Sequence, residues 1–143
     1  MPLEPGIFAK TFPRSSLAAN LDAVIQHDLH CIQFNLACTG LPSMPDSIEP
    51  QVVANIRREV QARGITLAAV SGTFNMAHPD PQVREAGLYR LAVLAEICND
   101  IGTNIITLCT GTRDLADMWR WHAENSSPEA WQDMLETDAA NPV

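Results

Sequence analysis

Two stretches of the chain bring together residue types able to hold a polar ligand. One is Ser71-Gly72-Thr73-Phe74-Asn75-Met76-Ala77-His78-Pro79-Asp80; the other is Thr107-Leu108-Cys109-Thr110-Gly111-Thr112-Arg113-Asp114, followed closely by Met118-Trp119-Arg120-Trp121-His122. Asn75 and Thr110 offer an amide and a hydroxyl. His78 offers a ring nitrogen that can ligate a metal or move a proton, or it simply shapes the turn before Pro79. Arg113 presents paired planar donors that match a phosphate or a carboxylate, although its neighbour Asp114 is an equally available ion-pair partner. Trp119 and Trp121 flank Arg120, and amphipathic rings of this kind stack on a sugar face, pack a rim or cover an interface. Asn35 and Lys10 add an amide and an ammonium earlier in the chain.

The elements that position these groups alternate strand and helix four times. Gly6-Ile7-Phe8-Ala9 reads as a first strand, and Ser15 or Ser16 caps a helix whose apolar residues Leu17, Leu21, Val24 and Ile25 recur at helical spacing to about Asp28. Cys31 to Leu36 reads as strand two. After a loop rich in Gly, Pro and Ser, Pro50 opens helix two, with Val52, Val53, Ile56 and Val60 as its stripe and Arg63-Gly64 as its end. Strand three is the nearly continuous apolar run Ile65 to Ser71, as expected of a parallel strand covered on both faces. Asp80 caps helix three, Pro81 opens it, its stripe is Leu88, Leu91, Ala92, Ala95 and Cys98, and Gly102 closes it. Asn104 to Cys109 is the fourth strand. Ser126 or Ser127 with Pro128 starts the fourth helix, where Ser126 and Glu129 have the spacing of a capping box; this helix is expected to run about two turns and fade at Thr137.

Right-handed crossovers between parallel strands place the ligand-binding loops at the strand C-terminal ends. Two α/β architectures accommodate the pattern, a segment of a (β/α)₈ barrel and a small open doubly wound sheet. No strand is followed by a glycine-rich phosphate fingerprint, and the long loops after strands two, three and four suit a barrel's active-site rim. The expected fold is therefore a partial TIM barrel of about four βα units, a single domain over residues 1–143. A complete barrel takes ~250 residues, so the chain reads as the N-terminal half of one.

Composition narrows the function. With 46% hydrophobic and 18% charged residues, the chain is a globular one without a run of apolar residues long enough for a membrane span. Its start, Met1-Pro2-Leu3-Glu4-Pro5, lacks the features of a secretory signal, and the expected compartment is the cytoplasm. A net charge of -8 and scattered basic residues argue against nucleic acid as a partner. The four cysteines form no CxxC and are expected to be free thiols. His27-Asp28-Leu29-His30-Cys31 invites a metal reading, but it joins a helix end to a strand start, opposite the active rim; a helix-terminal histidine favoured by the helix dipole is preferred. Asp46, Glu49 and Asp80 read as loop and capping carboxylates.

The segments after strands three and four resemble the sugar phosphate isomerase/epimerase family, whose members share the xylose-isomerase-like TIM barrel, and the resemblance extends from Gly6 to Leu135. It implies a barrel acting on a sugar, polyol or ketose derivative by proton transfer beside a carbonyl, with a divalent metal (Mn, Mg or Zn) in full-length relatives stabilising the enediolate. In the family pattern the ligands for that metal come from strands five to eight, so none is expected to be bound by this chain alone and no catalytic residue is assigned. The implied substrate-side residues are Asn35, Asn75, His78, Thr110, Arg113, Trp119 and Trp121. The related apurinic-site endonuclease branch has zinc-binding histidines at the ends of strands three and four; this chain has the Ser71-Gly72 region and Cys109 there, which argues against a trinuclear zinc nuclease. A metal-dependent hydrolase or lyase on the same barrel and a non-catalytic module for a small ligand or partner remain alternatives. Four strands without a closing partner leave two edges and an inner face open, so the alternatives for the chain alone are a homodimer through the exposed sheet edges, a flattened open sheet or aggregation; the polar tail after Leu135 favours an incomplete reading of a longer gene, and the chain alone is expected to be inactive as an isomerase.

Overall fold

The structure, a computed structural model, describes residues 3–142. Strands β1 (Gly6–Phe8), β2 (Cys31–Phe34), β3 (Thr66–Ser71) and β4 (Ile106–Thr107) alternate with helices α1 (Leu17–Gln26), α2 (Pro50–Ala62), α3 (Pro81–Ile101) and α4 (Pro128–Ala139). The strands are all parallel and lie in the order β1-β2-β3-β4. That order separates the two architectures. A doubly wound sheet reverses its strand order at a switch point, whereas successive right-handed crossovers without reversal keep the helices on one face, as in a barrel wall. Helices α1 to α4 accordingly touch one another in chain order, and the fold is a partial TIM barrel of four βα units.

Side-chain alternation, reset in β3 by an irregularity that skips Ala68 in the pairing with β2, divides the sheet into two faces. Ile7, Ile32 and Leu67 form one row across the register, and Phe34, Val70 and Ile106 the next. Both rows pack against the helices, in a core with Leu17, Leu21, Val24, Ile56, Val60, Leu94 and Ile101. Each fully buried Leu, Ile or Phe contributes roughly 1.5–3 kcal/mol by leaving water. The expected two-sided burial of β3 is only partly realised, since Thr66 and Ala68 are exposed while Leu67 and the residues 69–71 are buried.

Local chemistry explains the element ends. Ser16 Oγ accepts from the Ala19 amide to start α1, Pro50 occupies the first turn of α2, and Asp80 Oδ1 accepts from the Gln82 amide before Pro81 opens α3. Arg63, just past α2, reaches Asp22 of α1 and Glu59, each at 2.7 Å, and so ties the two helices. The hydrogen bonds from Arg63, then Arg58, hold the Glu59 carboxyl below its ordinary range. The buried face of α3 is Arg84, Gly87, Leu91, Leu94, Ile97, Cys98 and Ile101, a stripe rotated from the expected one; Leu88, Ala92 and Ala95 lie half-buried beside it. Gly87 belongs to that stripe, and the Phe74 ring fills the space a Cβ would need there.

The fourth unit differs from its expected form. β4 is two residues long rather than six. At its start Thr103 turns its hydroxyl back to the Ala68 carbonyl and accepts from the Ile105 amide, and beyond Thr107 the chain leaves the ladder for a loop in which the Thr110 carbonyl accepts from Ala77. Ser127, not Ser126, caps α4, with its Oγ accepting from the Ala130 amide, so the Ser126–Glu129 box is not formed. The helix continues to Ala139 because Thr137 is buried and donates to the Asp133 carbonyl at 2.7 Å.

Candidate functional site

The residues between the core rows face the other side of the sheet, which in a barrel is the interior. Phe8, Gln33 and Ala69 share one row, Ser71 and Thr107 the next, and Asn35 follows Phe34 at the end of β2 on this same side. Gln33 Nε2 donates to Thr107 Oγ1 at 2.7 Å. This bond reaches from β2 to β4 across β3, and it can do so because the residue beneath it is Ala69, whose side chain is a methyl group. Ser71 Oγ lies 3.3 Å from Thr73 Oγ1. The C-terminal end of the inner face is thus a neutral polar floor of amides and hydroxyls. Gln33, Ser71 and Thr107 were not among the sequence-derived site residues, though the signal was present: each is polar at an alternate position of an otherwise apolar strand, near its C-terminal end.

The sequence-derived residues divide by position. Asn35 is buried at the end of β2, and its Oδ1 accepts from the Ala37 amide to cap the 3-10 turn Leu36–Thr39. Asn75 grips the Thr112 backbone from both sides, Nδ2 donating to its carbonyl at 2.8 Å and Oδ1 accepting from its amide at 2.9 Å. Gly111 has φ +79°, and a Cβ there would run into the Asn75 amide, so this close approach requires glycine. Asn125 holds the same residue from the other direction, its Oδ1 accepting from Thr112 Oγ1 and from the Arg113 amide.

His78 Nδ1 accepts from the Asp80 amide at 3.0 Å, and its carbonyl accepts from Arg84. Arg113 reaches past Asp114 to Asp133 on α4 and to the Ala77 carbonyl; Arg84 meets the other oxygen of Asp133 at 3.1 Å. The even choice left by the sequence between an anion ligand and Asp114 therefore resolves to a third partner. Asp114 instead accepts from the Ala116 and Asp117 amides, each at 2.9 Å, and these bonds, before the more distant Arg120, hold its carboxyl below the usual carboxylate range.

Thr110, Trp119 and Trp121 do come together. With Cys109, Met118 and Arg120 they line a cavity of about 330 Å³ beyond the end of β4. Trp119 is 74% and Trp121 77% exposed, so both rings are available to a ligand. Burial pushes the Cys109 thiol up from its ordinary value, and that thiol donates to the Phe74 carbonyl, which makes it a poor nucleophile near neutral pH. All four cysteines are free. The His27–Cys31 segment holds no metal-ligand cluster; His27 ends α1 with its ring edge-on to Phe12 at 4.8 Å.

Among the described residues no three His, Cys, Asp or Glu side chains converge as a metal-ligand group. No helix of the described residues is long and apolar enough to cross a membrane.

No curated protein matches the chain. The xylose isomerase-like TIM barrel family model matches residues 21–137, a span that begins inside α1 and ends inside α4 and so contains the whole polar floor and the tryptophan loop. With the unreversed parallel sheet and its C-terminal polar rim already in place, this match over most of the sequence means that the chain belongs to the xylose isomerase-like TIM barrel family.

Proposed function

We propose that the chain is the substrate-binding sector of a barrel acting as an isomerase or epimerase on a neutral sugar, polyol or ketose. The observation that carries this reading is the pairing of an uncharged hydrogen-bonding floor, Gln33, Ser71 and Thr107 with Asn35 beside them, with two exposed indole rings at the rim. Amides and hydroxyls both donate and accept, which is what a polyhydroxylated ligand needs, while the indoles offer flat apolar surface to the C–H face of a sugar ring. Arg113 is engaged by Asp133, so the reading favours hydroxyl recognition over phosphate recognition. Within this sector the residues hold and orient the substrate; Thr110, Trp119 and Trp121 contact it, Asn75 and Arg113 fix the loop that carries them, and His78 shapes the turn behind.

The test is a titration of the chain with D-fructose, D-xylulose and myo-inositol, followed by tryptophan emission. The reading expects saturable quenching by at least one of them, reduced about tenfold in affinity by Gln33→Ala and abolished by a Trp119→Ala, Trp121→Ala double variant. Emission that responds to none of the three, or a response indifferent to both variants, would sink it.

A further inference from the structure

Two amides on the same side of β2 are each held by a bond that fixes which way round the amide sits. Asn35 Oδ1 accepts from the Ala37 amide at 2.9 Å. A backbone N–H only donates, so the oxygen must face it, and Nδ2 is left over as a donor. Gln33 is held the opposite way round. Its Nε2 donates to Thr107 Oγ1 at 2.7 Å, and that hydroxyl donates in turn to the Val70 carbonyl at 3.4 Å. A carbonyl only accepts, so the hydroxyl spends its hydrogen there and takes Gln33 as its donor, which leaves Oε1 over as an acceptor.

Neither leftover atom has a partner among the described residues. The fully buried side-chain nitrogens and oxygens in that condition are Asn20 Oδ1 and Arg113 Nε, so Asn35 Nδ2 and Gln33 Oε1 keep access to solvent. Asn35 is nevertheless only 3% exposed, and a nearly buried N–H without a partner carries a cost that a ligand oxygen would relieve. Both residues sit in the middle of the sheet, since β2 is paired with β1 on one side and β3 on the other. The backbone stays extended through Asn35, at φ -140° and ψ 134°, so the two residues stand roughly 7 Å apart along one face. That separation is within reach of a sugar's carbon chain.

We propose that these two amides select a ketose over the corresponding polyol, with Asn35 Nδ2 donating to the carbonyl oxygen and Gln33 Oε1 accepting from a hydroxyl further along the chain. The selection rests on this face being the sugar site, and it adds an orientation: carbonyl toward the rim, chain running inward. A ketone oxygen has lone pairs and no hydrogen, so it satisfies a fixed donor completely. A polyol hydroxyl in that place also accepts, but its own hydrogen then needs an acceptor that Asn35, with its oxygen committed to Ala37, does not offer.

The test exchanges each amide for its carboxylate and follows tryptophan emission with D-fructose against D-mannitol and D-xylulose against xylitol, pairs that differ as ketone and alcohol at C2. The parent chain is expected to bind at least one ketose about tenfold more tightly than its alcohol. Asn35→Asp keeps an oxygen on the Ala37 amide but turns the free donor into an acceptor. It is expected to abolish or reverse the preference with an unchanged far-UV circular dichroism spectrum. Gln33→Glu leaves an acceptor in place and is expected to hold ketose affinity within about threefold, whereas Gln33→Leu, of similar size and apolar, lowers it about tenfold. Two residues with a purely structural role would not give opposite outcomes for the same exchange. Binding of myo-inositol or an alcohol without a ketose preference, a preference that survives Asn35→Asp, or equal losses in Gln33→Glu and Gln33→Leu would overturn the proposal and leave the sugar site standing. A chain that binds none of these compounds loses both. Should Asn35→Asp not fold, the two Gln33 variants decide.

Discussion

Between β1 and α3 the space separating sheet and helices is filled by side chains such as Leu21, Ile32, Phe34, Ile56 and Leu94, all fully buried. The fourth unit has a two-residue strand and a helix whose buried residues are Ala130 and Thr137. A small apolar contact of Met134 and Leu108 with Phe74, Met76 and Leu91 helps to hold that unit, and its specific anchors are polar: Asn75 and Asn125 on Thr112, and Arg84 and Arg113 on Asp133. The contrast teaches that apolar burial builds the wall while hydrogen bonds and ion pairs place the loop that meets the ligand. Directional bonds suit that second task, because a loop with little apolar surface can still be held in one geometry when each anchoring bond fixes a specific atom.

The largest effect should come from cutting the apolar region. Phe34→Ala removes a fully buried ring that links β2 to the helix layer and is expected to cost roughly 3–5 kcal/mol, read as a lower denaturant midpoint; a cost below about 1 kcal/mol would mean that the wall is not a packed core.

An intermediate and local effect is expected from Asp133→Ala, which leaves the largely buried guanidinium groups of Arg84 and Arg113 without their shared carboxylate. A loss of roughly 1.5–3 kcal/mol should appear in hydrogen exchange as faster exchange over residues 128–139 with little change in β1 to β3. Equal acceleration throughout would break the distinction between the two regions.

The smallest effect concerns acid. Asp114 is held below its ordinary value by bonds that exist only in the folded loop, so its contribution is complete above the usual Asp value of ~3.9. It is lost as pH falls from there through the depressed folded value. The amide resonances of Ala116 and Asp117 should shift across that acid window in the parent chain and stay flat in Asp114→Asn; a midpoint at or above the ordinary value would contradict the geometry.

Much of the wall was legible in the chain. Ser16, Pro50, Asp80, Pro81 and Gly102 mark helix ends by local chemistry, and the structure places them at those ends. The strand-helix alternation likewise pointed to the barrel, and the strand order bears it out. The fourth unit was less legible. Its strand was read as six residues from β-branched composition, yet pairing depends on a neighbour, and the loop beyond Thr107 leaves the ladder. Arg113 stood next to Asp114 in sequence while its partner lies on α4, and no local pattern announces a contact made by a helix packing back.

The sequence by itself determined what short-range forces can determine: the element types, most of their caps, the parallel α/β class and the free thiols of a chain with no paired cysteine motif. Tertiary structure alone decided which polar groups meet. Gln33 reaches Thr107 only because β3 puts the methyl of Ala69 between them, and Asn75 meets Thr112 only because Gly111 lets the two loops touch. These contacts join residues far apart in the chain, and their existence depends on register and packing, which arise when the elements assemble.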